Sequence, residues 1–135
     1  LQDRTGGFTA FIPWSFSPNK TDLECPRVQN GVDYLRMIAL ARLVLDNVPH
    51  LQAGWVTEGP QVAQLALQFG ADDYGGVLMT EEVVSATGLD YGVNEAQVIR
   101  LIREAGWLPA QRTTQYDIIQ VHGPENGVEP QKNAS

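Results

Sequence analysis

Short apolar, strand-like runs in this chain alternate with helical patterns, and that alternation does most to narrow the folds open to it. The runs break into loops at Pro13-Trp14-Ser15-Phe16, Gly59-Pro60 and Gly75-Gly76. Strand and helix in regular succession argue for βα units around a parallel sheet. The first strand covers residues 8–13, and a polar loop leads from it to a helix over 31–48. Asn30 and Asp33 can cap that helix, Arg42 and Asp46 stand at i,i+4 spacing, and Pro49 stops it. From Met37 to Leu45 the helix is apolar on most sides, which predicts that it is largely buried.

A second strand is expected over 51–56, and a helix over 59–69 with Pro60 at its first position, where the missing N–H costs nothing. Val62, Ala63, Leu65, Ala66 and Phe69 form its inner face and Gln61, Gln64 and Gln68 its outer one, with Gly70 as a left-handed cap. A third strand follows over 71–74. The pattern then predicts a short helix over 80–87 and a firmer one over 94–105, where Asn94 and Gln97 have capping-box spacing and Gly106 is the stop. Residues 107–121 read as extended or mixed. From His122 onward Gly, Pro, Asn, Glu and Gln dominate, so residues 1–121 form the folded unit and 122–135 a poorly ordered tail.

Three parallel strands alone leave two edges of unpaired backbone groups, and closure into a barrel removes such edges. The simplest expectation is an α/β fold made of the last βα units of a (βα)8-type barrel, with parallel strands inside and helices outside. Leu1 to Gly7 reads as the end of a helix and its glycine stop, so the chain is expected to start in mid-domain and to need the missing N-terminal half. Pairing of two copies is the other way to cover the edges.

A formal net charge of -7 with nine scattered basic residues argues against a nucleic-acid partner. The most apolar stretch is interrupted by Arg42 and too short to cross a bilayer. Cys25 is the one cysteine, which excludes a disulfide within the chain and favours a reducing, cytoplasmic setting. No residue set is assigned to a metal.

In parallel α/β proteins ligands sit beyond the C-terminal strand ends. Trp14 and Phe16 at the first such end could pack against a ribose, an adenine or an aromatic substrate, or simply fill the loop. On the second strand Leu51, Ala53, Trp55 and Thr57 share one face, expected to line the interior, with Trp55 either a pocket wall or plain core. Glu58, Asp72 and Asp73 are the carboxylates beside strand ends. Glu58 and Asp73 are the candidates for general-base work, Glu58 competing with a role in capping the next helix. Asp72 and Tyr74 flank Asp73, and Gly75-Gly76 lets a ligand approach the backbone. Arg112 could hold a substrate carboxylate or join a surface ion pair. His50 and His122 are expected to be structural or solvated.

The phrases Phe11-Ile12-Pro13-Trp14, Gly31-Val32-Asp33-Tyr34-Leu35-Arg36, Glu82-Val83-Val84-Ser85-Ala86 and Pro109-Ala110-Gln111-Arg112 resemble the C-terminal half of radical S-adenosylmethionine (SAM) enzymes of the futalosine route to menaquinone, nearest their cyclase branch. The resemblance covers most of the chain except the tail. Aminofutalosine synthase, the FO synthase subunits and biotin synthase are the competing relatives. Gly75-Gly76-Val77-Leu78-Met79 drifts toward the FO synthase pattern, and Trp55 stands where biotin synthase has an arginine. The resemblance implies a radical SAM barrel, SAM and a [4Fe-4S] cluster as cofactors, and cyclisation of dehypoxanthine futalosine, a nucleoside, to a spiro product. It also implies that the cluster motif C-x3-C-x2-C lies outside this chain, which alone would be inactive. A non-catalytic half-barrel binding module is the reading from a different class.

Overall fold

A computed structural model describes residues 1–16, 22, 29–77 and 92–123. The helix expected over 80–87, the Cys25 loop and the tail beyond Gly123 lie outside the described residues. Helix α1 (Gln2–Thr5) ends on Gly6, whose φ of 58° is the left-handed stop anticipated from the sequence. Strand β1 (Ala10–Phe11) follows, then α2 (Gly31–Val44), β2 (His50–Leu51), α3 (Trp55–Glu58), α4 (Pro60–Ala66), α5 (Glu95–Glu104), β3 (Ala110–Arg112) and β4 (Ile118–Val121).

The parallel order expected from the alternation is present. β1 pairs with β2 in the register Ala10 to His50 and Phe11 to Leu51, and Gln52 bridges in parallel to Asp73 on the far side. Gln52 N donates to Phe11 O at 3.0 Å and Ala53 N to Asp73 O at 2.8 Å, so β2 lies between β1 and Asp73, where a single bridge stands in place of the third strand expected over 71–74. The described residues contain this parallel arrangement and a separate antiparallel β3–β4 hairpin.

Both longer helices start where their caps dictate. The Asn30 side chain accepts from Val32 N and Asp33 N while Asp33 reaches back to Asn30 N; Asn94 and Gln97 form the same reciprocal box on α5. The core gathers Tyr34, Ile38 and Ala41 of α2, Leu51 and Ala53 of the middle strand, Ala63 and Ala66 of α4, and Val98 and Leu101 of α5.

Five expectations are corrected. The second strand does not run to Val56, because Gly54 turns the backbone and Trp55 opens α3. α2 stops at Val44, short of 48. It is not largely buried either: Met37, Leu40, Leu43 and Val44 are exposed, Leu43 to 80%. Arg42 pairs not with Asp46 but with Asp72, at 2.5 Å, because Gly70 O and Pro49 O also draw its guanidinium toward that strand. In the stretch expected as the 59–69 helix, Leu65 and Phe69 are half-exposed and Leu67 is buried instead. The outer face holds as expected, with Gln61 and Gln68 exposed and Gln64 half-buried, and the amides of Gln64 and Gln68 donate to Leu101 O and Ala105 O, tying this stretch to the end of α5.

Candidate functional site

Side chains alternate along a strand, so β2 divides its residues between two environments. Leu51 and Ala53, expected to line the interior, are 2% and 0% exposed and pack into the helical core with Tyr34 and Ile38. His50, Gln52 and, across the bridge, Asp73 carry polar side chains that meet the C-terminal hairpin. The face expected to line the interior is therefore the one packed on the helices, and the opposite face carries the polar cluster.

Asp73 is the centre of this face. Its Oδ1 accepts from Gly75 N at 3.0 Å, and its Oδ2 accepts from Tyr116 Oη at 3.0 Å and from the Arg112 guanidinium. The Arg112 guanidinium also approaches Gln52 Oε1 and lies 4.0 Å over the Tyr116 ring. Burial opposes the charge on Arg112, but the hydrogen bond and negative charge of Asp73 outweigh it and raise its pKa further. Tyr116 is pushed up to about 12 by burial and by the Asp73 carboxylate. Its ring stacks on His50 at 3.7 Å and an interplanar angle of 2°.

Asp72 anchors the lower end of the same sheet. It accepts from Leu51 N at 2.7 Å and contacts both Arg42 and His50 Nδ1, the latter at 2.7 Å. Burial works to raise its pKa, yet these partners outweigh burial and hold the carboxyl below its usual range. Among the described residues an open cleft of about 1170 Å³ beside this cluster is bordered by Asp72, Asp73, Arg112, Tyr116, Val98 and Ile102.

The other expected site residues stand elsewhere. Trp14 and Phe16 are exposed to 53% and 45% beyond the end of β1. Trp55 is core: it is 6% exposed, with its indole N–H donating to Gly76 O at 3.1 Å. Thr57 Oγ1 bonds Gly54 O and Glu58 Oε1. The N-cap of α4 is Gly59, which has no side chain to cap it, and Glu58 stands one residue before that cap. Tyr74 is buried, its hydroxyl donates to Pro60 O at 3.0 Å, and burial raises its pKa. Trp14, Phe16, Trp55, Thr57 and Glu58 do not border the cleft formed by the described residues. They cluster in sequence at or after the C-terminal strand ends, with Gly75 and Gly76.

Three participants escaped the sequence reading. Tyr116 and Gln52 have no motif of their own, although Arg112 and Tyr116 bracket a Thr-Thr-Gln turn whose tightness implied that both could face one strand. Tyr34 was visible only as part of a phrase. Its phenolic oxygen accepts from Gly54 N at 2.6 Å, where β2 ends.

Comparison with known proteins gives this arrangement a family context. A family model described as the CofH/MqnC C-terminal region matches residues 5–125. The cyclic dehypoxanthine futalosine synthase of Halalkalibacterium halodurans is 46% identical over 95% of this chain and 35% of its own length. The protein of the same name from Streptomyces coelicolor is 48% identical over 90% of the chain and 31% of its length. The aminodeoxyfutalosine synthase of Streptomyces coelicolor is 38% identical over 93% and 36%. The chain thus spans about a third of the length of these curated relatives.

Proposed function

The chain belongs to the CofH/MqnC C-terminal family, and we propose on that premise that it forms the closing part of a radical SAM (βα) barrel that cyclises dehypoxanthine futalosine in menaquinone biosynthesis. The observation that carries this reading is the parallel order β1, β2, Asp73. It sends Trp14, Gly54 and Gly75 out of the sheet in one direction, the end where parallel α/β folds hold ligands. Greater identity to the cyclases than to aminodeoxyfutalosine synthase favours cyclisation over the latter reaction.

Two features support the rest of the polypeptide as the partner. β1 has a described neighbour on one side only. On α2, Arg42 points to the Asp72 strand, while Met37, Leu40 and Val44 form an exposed apolar stripe on another flank at i, i+3 and i+7 spacing. A further strand and helix from the same protein would cover both.

The resemblance implies SAM and a [4Fe-4S] cluster, and this chain's residues do not fit the cluster. It has one cysteine, and among the described residues no group of three or more His, Cys, Asp or Glu could hold a metal. A cluster of this kind needs several thiolates. The chain's own contribution is substrate holding. Trp14 and Phe16 offer aromatic faces to a nucleoside, with Thr57 and Glu58 as hydrogen-bonding groups for its hydroxyls. Asp73, whose oxygens already face three donors, shapes the Gly75 turn, and Arg112 neutralises it; a substrate group would reach either only by displacing the other. Among the described residues no helix is long and apolar enough to cross a membrane.

In the complete protein Trp14→Ala should raise KM for the nucleoside roughly tenfold, as loss of aromatic stacking on a base costs about 1–3 kcal/mol. Asp73→Asn should reduce cyclic product more than SAM cleavage. Unchanged KM in the first variant, or equal loss of both activities in the second, would count against a substrate site at this sheet edge.

A further inference from the structure

Tyr116 has φ at 69°. A bulky residue in the left-handed region is strained, and such strain persists where the surroundings over-determine it, often at functional sites. The surroundings here are specific. The ring is sandwiched between His50, stacked at 3.7 Å, and the Arg112 guanidinium, 4.0 Å from its centroid. Its hydroxyl donates to Asp73 Oδ2 at 3.0 Å. The turn that bends the chain at this point is closed by Thr113, which accepts from Tyr116 N through its carbonyl and from Asp117 N and Gln115 N through its hydroxyl. The loop between β3 and β4 is therefore shaped to deliver one phenol to one carboxylate.

We infer that Tyr116 is a positioning residue: it locks the C-terminal hairpin onto the polar face of the sheet and, through Asp73, fixes the Gly75-Gly76 turn that borders the substrate. The link has two steps. Tyr116 and Arg112 orient Asp73 from the Oδ2 side, which leaves Oδ1 aimed at Gly75 N at 3.0 Å. Gly75 itself sits at φ 92°, and a Cβ there would meet the Gln52 amide at 3.0 Å. Backbone and neighbours thus hold this turn in one geometry. Gly76 O then accepts the Trp55 indole N–H, which joins the second and third strand ends. Nothing in this chain of contacts makes Tyr116 a catalytic residue. The inference rests on the proposed function only in placing substrate against the turn.

The test is Tyr116→Phe in the complete protein, which keeps the stacked ring and removes the hydroxyl. Amide hydrogen exchange, followed on a peptide containing Gly75, should accelerate about fivefold, the change expected from weakening one ordinary hydrogen bond. KM for the nucleoside should rise by a similar factor with kcat nearly unchanged, the signature of lost uniform binding. Asp73→Asn should accelerate the same amide, and adding Tyr116→Phe to it should have little further effect, because the two act in series. Unchanged exchange at Gly75 in Tyr116→Phe would overturn the lock whatever the kinetics. Faster exchange with an unchanged KM would uphold the lock and overturn the placement of substrate against this turn.

Discussion

Tyr34 shows how a single side chain can end a strand. Parallel pairing would next offer Gly54 N the Pro13 carbonyl, but the Tyr34 phenol takes that N–H at 2.6 Å and the backbone turns into α3. Burial pushes the phenol up to about 12, the bond from Gly54 N works the other way, and the negative charge of Glu58 adds to the rise. It therefore stays neutral through the physiological range. Tyr34→Phe leaves a buried N–H without a partner and should cost about 1–3 kcal/mol in denaturant unfolding; an unchanged midpoint would mean that the turn finds another acceptor. Asp72 supplies a pH-dependent term. Its folded pKa is lowered, so its contribution is full above the unfolded value of about 4 and is lost as pH falls through the lower folded value. Asp72→Asn should therefore be less stable than the parent at neutral pH, and the gap should close below about pH 4. A gap that stays constant down to acid pH would remove Asp72 as the cause.

Among the elements, those with local rules were legible and those with distant partners were not. The Asn30 and Asn94 boxes, Pro60 and the Gly6 and Gly106 stops depend on residues within a few positions, and the structure has each of them; Gly70 has a positive φ, but α4 already ends at Ala66 with Leu67 as its cap. The end of β2 was not legible, since it depends on a tyrosine twenty residues away. Nor was the partner of Arg42: helical spacing offered Asp46, but the chain brings Asp72 to it across the α2 to strand contact. The inner face of the sheet was misread for a related reason. Alternation says which residues share a face, and only the docking of α2, α4 and the hairpin says which face is which. Asp73 and Arg112 were each legible as candidates, but not as partners. Asn94→Ala, which removes one cap, should cost α5 about 1 kcal/mol, read as faster amide exchange in its first turn. Gly70→Ala should cost at least as much, because φ is 112° and the new Cβ would lie 2.9 Å from Arg42 Cβ. Wild-type stability in Gly70→Ala would show that α2 can shift away freely.

At the scale of the molecule, the parallel sheet is packed on one side by helices and met on its polar face by the hairpin, and its strand ends point one way. Exposed Met37, Leu40 and Val44 flank the sheet on α2, a contiguous apolar stripe of the kind that marks an interaction surface. The proposed function assigns that stripe to the remainder of the barrel and the strand ends to the nucleoside. Hydrogen exchange of the complete protein with and without dehypoxanthine futalosine tests this assignment most directly. Protection by the nucleoside is expected over residues 12–16, 54–58 and 74–77. Protection confined to residues 49–50 and 70–72 at the opposite end of the strands, or none at any strand end, would contradict it.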